Sequence, residues 1–284
     1  MGENATFTSP VLSIEQHDAV ATVWLDRPEA RNAMGPDLWR DLPRAMQVVS
    51  DDNNVRVVVV AARGPHFTVG LDLKAMGGLL ADGGEVGEKA SPPSMAARAR
   101  SARGEVLRLQ ASITAVAQCP KPVIAAVHGY CIGGGVDLIS ACDIRLASAD
   151  AVFSVREAKV AIVADLGSLQ RLPSIISAGH VAELAFTGKD IDANRAKEIG
   201  LVNDVAADMD AVHAAAYELA GEIAANSPIA VQGTKAVLAA NDGRTVAEGL
   251  DYVATWNAGM LASDDLVEAM MAFMERRTPV FTGR

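Results

Sequence analysis

The sequence predicts an α/β protein: a β/α core built on a largely parallel sheet, followed by a helical C-terminal region. Residues 55–62, VRVVVVAA, form a near-continuous β-branched run, the mark of a strand buried on both faces. Residues 123–127, VIAAV, form a second such strand and lead into a glycine-rich turn and a helix. Beyond about residue 205 the strand signals stop, and amphipathic helical periodicity takes over.

The elements follow in order. Residues 12–16 and 19–25 read as two short strands around the turn at His17-Asp18. The segment LDRPEARNAMGP is turn-rich and basic, and Asp37 then caps a helix whose middle is put in question by Pro43. After the strand at 55–62 comes RGPHFTVGLDLKAM, and then a stretch rich in glycine, alanine and serine over 77–94 that reads as a mobile loop. Helical periodicity runs over 95–118 and ends at Cys119-Pro120-Lys121-Pro122. Short strands are predicted at 144–147, 152–155 and 201–205, and helices at 168–176, 180–186 and 192–199. Helices at 209–225, 228–240, 245–260 and 264–274 close the chain, so the expected organisation is a core over 1–205 and a helical region over 206–284.

Composition narrows the function. The chain has 284 residues, enough for one large domain with a sizeable core. Its net charge of −10 argues against a general nucleic-acid or anionic-membrane binder, although local basic residues could still hold a phosphorylated small molecule. Cys119, Cys131 and Cys142 show neither CxxC nor a secreted framework spacing and read as buried thiols. There is no signal-peptide pattern and no apolar run long enough to span a membrane, so a cytoplasmic location is expected. The five histidines lack metal-ligand spacing, and Ser168 lacks the GxSxG setting of a serine nucleophile.

The stretch with chemical content is 122–171. Gly133-Gly134-Gly135 sits between a strand and a helix, where bare backbone N–H groups face outward. It is no dinucleotide fingerprint, and it suits either close strand–helix packing or a site for an oxyanion. The turn His66-Phe67-Thr68-Val69-Gly70-Leu71-Asp72-Leu73 could supply a second donor. Asp137 follows on the helix, with Glu157 20 residues later and Asp165 another 8 residues on, all among apolar neighbours. Singly, Asp137 could be a helix N-terminal charge, Glu157 a solvated loop residue and Asp165 an N-cap. Together they suggest used or coupled acids.

HFTVGLDLKAM, PKPVIAAVHGYCIGGGVDL, LGSLQRLP, LDRPEARNAM and the terminal FMERRTPVF together resemble the crotonase (enoyl-CoA hydratase/isomerase) superfamily over nearly the whole chain. Within it, the run from Gly133 to Pro173 is similar to the dienoyl-CoA isomerase branch. The resemblance implies a spiral of ββα units, a C-terminal helical region that mediates trimers or dimers of trimers, and an acyl-CoA substrate with no separate cofactor or metal. It implies an oxyanion hole made by the N–H groups of Val69 and Gly134. Arg27, Val69, Gly70, Leu71, Asp72, Leu73, Gly134 and Gly135 would line the CoA ester, with Arg276 and Arg277 as phosphate candidates.

Where hydratases resemble one another in carrying glycine, this chain has Asp165. The implied reaction moves both double bonds of a 3,5-dienoyl-CoA into the 2,4 positions, within fatty-acid β-oxidation. It removes a proton at C2 and adds one at C6 through a dienolate. Glu157 and Asp165 are the expected proton carriers, in either assignment, and Asp137 would raise the proton affinity of Glu157. The alternatives are a hydratase using Asp137, Glu157 and water, and a non-catalytic CoA- or RNA-binding member of the fold.

Overall fold

The computed structural model describes residues 7–75 and 94–284. The loop expected over 77–94 lies outside the described residues except for Ser94, which accepts a hydrogen bond from Ala97 N–H and caps the following helix.

An antiparallel hairpin opens the fold. β1 (Leu12–His17) and β2 (Val20–Leu25) are joined through Asp18, whose φ of 52° turns the chain. Then come α1 (Pro36–Asp51), β3 (Val57–Ala62), α2 (Met95–Ala117) and β4 (Val123–Val127). β5 (Tyr130–Ile132), α3 (Gly134–Ser140), β6 (Ile144–Ser148) and β7 (Val152–Ser154) complete further strand–strand–helix turns. A 3-10 turn at Glu157–Val160 precedes α4 (Ser168–Arg171), α5 (Ala178–Thr187), β8 (Ile191–Asp192), α6 (Ala193–Glu198) and β9 (Asp204–Ala206). α7 (Met209–Ala224), α8 (Pro228–Ala240), α9 (Val246–Met260) and α10 (Asp264–Glu275) end the chain.

The strands form a six-stranded sheet in the order β1-β2-β3-β4-β6-β9, parallel beyond the opening hairpin, and a three-stranded sheet in the order β5-β7-β8. Successive units thus add neighbouring strands, which is the spiral of ββα units. The core of the large sheet is where the β-branched run places it, with Val57 to Ala62 all buried.

One face of this sheet packs on α7. Val212, Ala216, Ala220 and Ala224 recur every fourth residue and meet Val57, Val59, Ile124 and Leu146. Small side chains at that spacing let the helix axis approach the sheet closely. The other face packs on α1 and α2 and continues to the glycine turn. Beyond residue 225 only Gly233, Gly249, Asp265 and Ala272 are buried.

Local physics explains where the elements differ from expectation. α1 runs unbroken through Pro43, although that proline cannot donate to the Trp39 carbonyl one turn earlier. The buried Ser112 hydroxyl of α2 donates to that carbonyl at 2.5 Å and restores the missing bond. The helix expected over 168–176 instead breaks into α4 and a 3-10 turn at Leu172–Ser174, with Pro173 inside it. The expected strand over 201–205 pairs only from Asp204, because Gly200, at φ 83°, redirects the chain and Leu201 and Val202 turn into the core. β5 and β8 are too short to have shown a pattern.

Lys121, just before β4, is buried and donates to the carbonyls of Val49 and Asp52 at 2.6 and 2.5 Å. These oxygens belong to the C-terminal end of α1, where carbonyls lack helical partners. Lys121→Met should lower the unfolding free energy by about 1–3 kcal/mol, because it strands two acceptors. Urea denaturation checks this, and an unchanged midpoint would mean that the end of α1 has another source of donors.

Candidate active site

Three turns converge at the end of the sheet, and Asn32 is their hub. It sits buried with φ 54°, where its side chain donates to the carbonyls of Arg63 and His66, each at 2.9 Å, and accepts the Arg27 N–H at 2.8 Å. Thr68, also buried, donates through its hydroxyl to the Asn32 carbonyl at 2.6 Å and bridges in parallel to Cys131 of β5. Next to it, Met34 bridges to Leu71: Met34 N–H donates to the Gly70 carbonyl and Asp72 N–H to the Met34 carbonyl. Sequence reasoning saw this segment as turn-rich and basic and missed Asn32. The available signal was an asparagine, a residue that tolerates left-handed backbone, inside an RNAM turn.

This framework brings two glycine turns into contact. Gly70 has φ 85°, and a Cβ there would stand 2.7 Å from the Ile132 carbonyl oxygen and 3.8 Å from the Gly133 Cα. A Cβ on Gly134 would meet Met34 Sδ at 2.8 Å, and one on Gly135 would meet Thr68 Cγ2 at 2.5 Å. Glycine is therefore required by close approach at all three positions.

The free donors can be read from the same bonds. Gly133 N–H is taken by the Ser154 carbonyl at 2.8 Å, whereas Gly134 N–H has no acceptor among the described residues. In the facing turn, Val69 N–H already donates to the Arg31 carbonyl at 3.2 Å, and Gly70 N–H to Thr68 Oγ1 at 3.1 Å. Leu71 N–H has no acceptor among the described residues. The pairing with the 31–34 segment thus consumes the Val69 N–H that was expected to serve as a donor, and leaves that of Leu71, two residues on, open among the described residues.

The three acids gather around this point. Asp137 is buried on the first turn of α3, and its Oδ1 accepts Ser168 N–H at 2.6 Å. Burial pushes its carboxyl up to about 6, against the Ser168 N–H bond that favours its anion. Glu157 opens the 3-10 turn, and its Oε1 lies 3.3 Å from where a Gly133 Cβ would be. Its Oε2 is buried without a partner among the described residues, and burial together with the charges of Asp137 and Asp165 pushes its carboxyl up to about 7. Asp165 is half-buried, its carboxyl is also raised by burial, and its backbone carbonyl accepts from Gln110 Nε2 at 2.6 Å. It is not an N-cap: α4 is preceded by Gly167 at φ 125°, and the Ser168 N–H belongs to Asp137.

The residues expected around the CoA ester are partly structural. Arg27 Nη1 pairs with Asp72 Oδ2 at 3.0 Å, which joins the turn after β2 to the Leu71 turn. Leu73 is exposed beside them. Arg277 pairs with Glu268 and Glu275, while Arg276, the left-handed residue ending α10, has no ion pair among the described residues. His128 Nε2 bonds to the Gly64 carbonyl at 2.8 Å, and His66 Nδ1 accepts Tyr130 N–H at 3.3 Å, so each histidine has one ring nitrogen in a structural bond.

The chain is similar to known proteins over nearly its whole length. The family described as Enoyl-CoA hydratase/isomerase matches residues 15–284. A protein of Arabidopsis thaliana named peroxisomal Delta(3,5)-Delta(2,4)-dienoyl-CoA isomerase is 43% identical over 257 residues, covering 90% of each chain. The protein of Rattus norvegicus with the same enzyme name, designated mitochondrial, is 44% identical over 94% of this chain and 79% of its own. The crystal structure of an enoyl-CoA hydratase from Bacillus anthracis superposes with a TM-score of 0.85 at 31% identity, covering 96% of this chain and 100% of that one. The expected cytoplasmic location is corrected by these relatives, whose names assign them to peroxisomes and mitochondria. Absence of a membrane-length apolar run could not have distinguished those compartments.

The raised carboxyls carry a stability cost with a defined sign. Glu157 holds its proton more tightly folded than unfolded, so stability falls as pH rises from its ordinary 4.5 through about 7. Glu157→Gln should therefore be more stable than the parent at pH 8 by roughly 1–2 kcal/mol, a figure discounted for partial solvent screening. Thermal or urea unfolding at pH 4 and pH 8 checks this: the two proteins should converge at the lower pH, and a less stable variant at pH 8 would refute it.

Proposed function

The chain belongs to the enoyl-CoA hydratase/isomerase family, and we propose that it converts 3,5-dienoyl-CoA to 2,4-dienoyl-CoA by proton transfer between C2 and C6. The observation that carries this reading is Asp165, a third carboxyl beside the Asp137–Glu157 pair, held by its carbonyl and raised by burial. Asp137 is buried and bonded to Ser168, which leaves Glu157 and Asp165 to face an extended acyl chain from two points.

The thioester oxygen would rest between the N–H groups of Leu71 and Gly134. Each such donor is worth about 3–4 kcal/mol as charge develops on that oxygen. With the enolate stabilised there, one carboxylate of the Glu157–Asp165 pair takes the C2 proton and the other, protonated, delivers one to C6. The electrons of the C2–H bond form the C2–C3 double bond, the C3–C4 pair moves to C4–C5, and the C5–C6 pair forms the new C6–H bond as C6 takes up its proton. The starting 3,5-diene thus becomes the conjugated 2,4-diene, with no change in oxidation state and no cofactor beyond the CoA already on the substrate.

Glu157, pushed up to about 7, and Asp165, raised by burial above its ordinary value, suit this chemistry, because carboxyls that resist ionising together can keep an acid beside a base. A hydratase needs a water held between two accessible acids, and the burial of Asp137 disfavours that use. The proposed pathway is the β-oxidation of unsaturated fatty acids, which would supply such a diene.

The helical C-terminal region is the proposed oligomer surface. Leu238, Leu250, Met270, Phe273 and Met274 are all more than half exposed, a concentration of apolar side chains expected at a subunit interface. A trimer or a dimer of trimers is the proposed assembly, and light scattering behind gel filtration should give three or six times the 29.6 kDa protomer. A stable monomer would rule it out.

Incubation with a 3,5-dienoyl-CoA should raise the ultraviolet absorbance of the conjugated 2,4-dienoyl thioester. Turnover of a simple 2-enoyl-CoA alone would favour the hydratase instead. Asp165→Asn should reduce isomerisation by at least about 10²-fold while CoA-ester binding survives. Full activity in that variant would reduce Asp165 to a structural role.

A further inference from the structure

The segment carrying Asp165 is held from outside the site. Gln110, on α2 and 55 residues earlier in the chain, donates from Nε2 to the Asp165 carbonyl at 2.6 Å. One helical turn further along the same face, Thr114 Oγ1 accepts Arg171 Nη2 at 3.5 Å, and Arg171 Nη1 donates to the Leu166 carbonyl at 3.3 Å. The guanidinium lies against bare backbone at Gly167, where a Cβ would stand 1.8 Å from Nη1. Two residues on from Leu166, Ser168 N–H is fixed by Asp137. The Asp165 carboxylate itself has no hydrogen bond to another side chain among the described residues, so its place depends on the backbone that these groups hold.

We propose that Gln110 is a positioning residue: by holding the Asp165 carbonyl it sets how far the Asp165 carboxylate reaches along the acyl chain. Thr114 and Arg171 hold the adjoining residue, so α2 supplies two consecutive anchors for the third acid. Proton transfer to or from carbon demands hydrogen-bond reach, and a displacement of about 1 Å can cost on the order of 10²-fold in rate. Gln110 would act through Asp165 without touching substrate. The inference rests on the isomerase reading.

Two substitutions keep the length of the side chain and remove its N–H donor: Gln110→Met and Gln110→Glu. Measured beside the wild type on a 3,5-dienoyl-CoA, each should lower kcat by about 10–100-fold with KM unchanged within about two-fold, since binding of the CoA ester is untouched. Their thermal midpoints should stay close to that of the wild type. A double-mutant cycle adds a readout that general weakening of the fold would not move. In an Asp165→Glu background, where the reach is already altered, Gln110→Met should cost clearly less than it does alone.

Wild-type kcat in both variants would overturn the proposal. So would losses of kcat, KM and thermal midpoint together, or equal costs in both backgrounds. Failure of the wild type to turn over the dienoyl-CoA would sink the isomerase reading itself, and is scored separately from any difference among variants.

Discussion

The bond between the Asp137 carboxylate and the Ser168 N–H is the constraint on which the site depends. A carboxyl buried this deeply needs a partner, and the one it has is the first N–H of a four-residue helix. That single contact ties the helix after the glycine turn to the segment carrying the third acid. It spans 31 residues of chain and sets the spatial relation between Asp137 and Asp165. Glu157 lies between them in sequence and against Gly133 in space, so all three acids are referenced to one turn.

Most of the architecture was legible because its signals are long. The β-branched run at β3, the apolar strand at β4 and the amphipathic C-terminal helices each carry enough residues to show a period. β5 and β8, at 3 and 2 residues, carry none, and they form because neighbouring segments have already been placed. The acids were legible by type and spacing. Their environments were not, since burial and the Ser168 N–H are properties of contact across the chain. The same limit applies to the expected donor: Val69 and Leu71 look equivalent in a turn, and only the pairing with Arg31 and Met34 shows which N–H is consumed. Sequence spacing names a turn, whereas hydrogen-bond accounting names an atom.

The site and the stability of the fold pull in opposite directions. Buried carboxyls near neutrality, left-handed turns and glycines whose hydrogens are the only atoms that fit all cost folding free energy. They are offset by the packing around them: an alanine-lined helix on one face of the large sheet, and α1 with α2 on the other. Asn32 shows how a polar residue can serve that packing. Its side chain satisfies three backbone groups in a region where water would otherwise have to enter.

The unbroken passage of α1 through Pro43 has a consequence for how the molecule assembles. The Trp39 carbonyl left open by the proline is closed by Ser112, 73 residues further along the chain. A nascent chain that has emerged only as far as α1 therefore carries a helix with an open seam in its middle. The seam closes when α2 arrives, so the first helix of the protein acquires its final integrity from the second. Secondary structure here is not complete before tertiary structure, and the order of synthesis differs from the order in which α1 becomes secure.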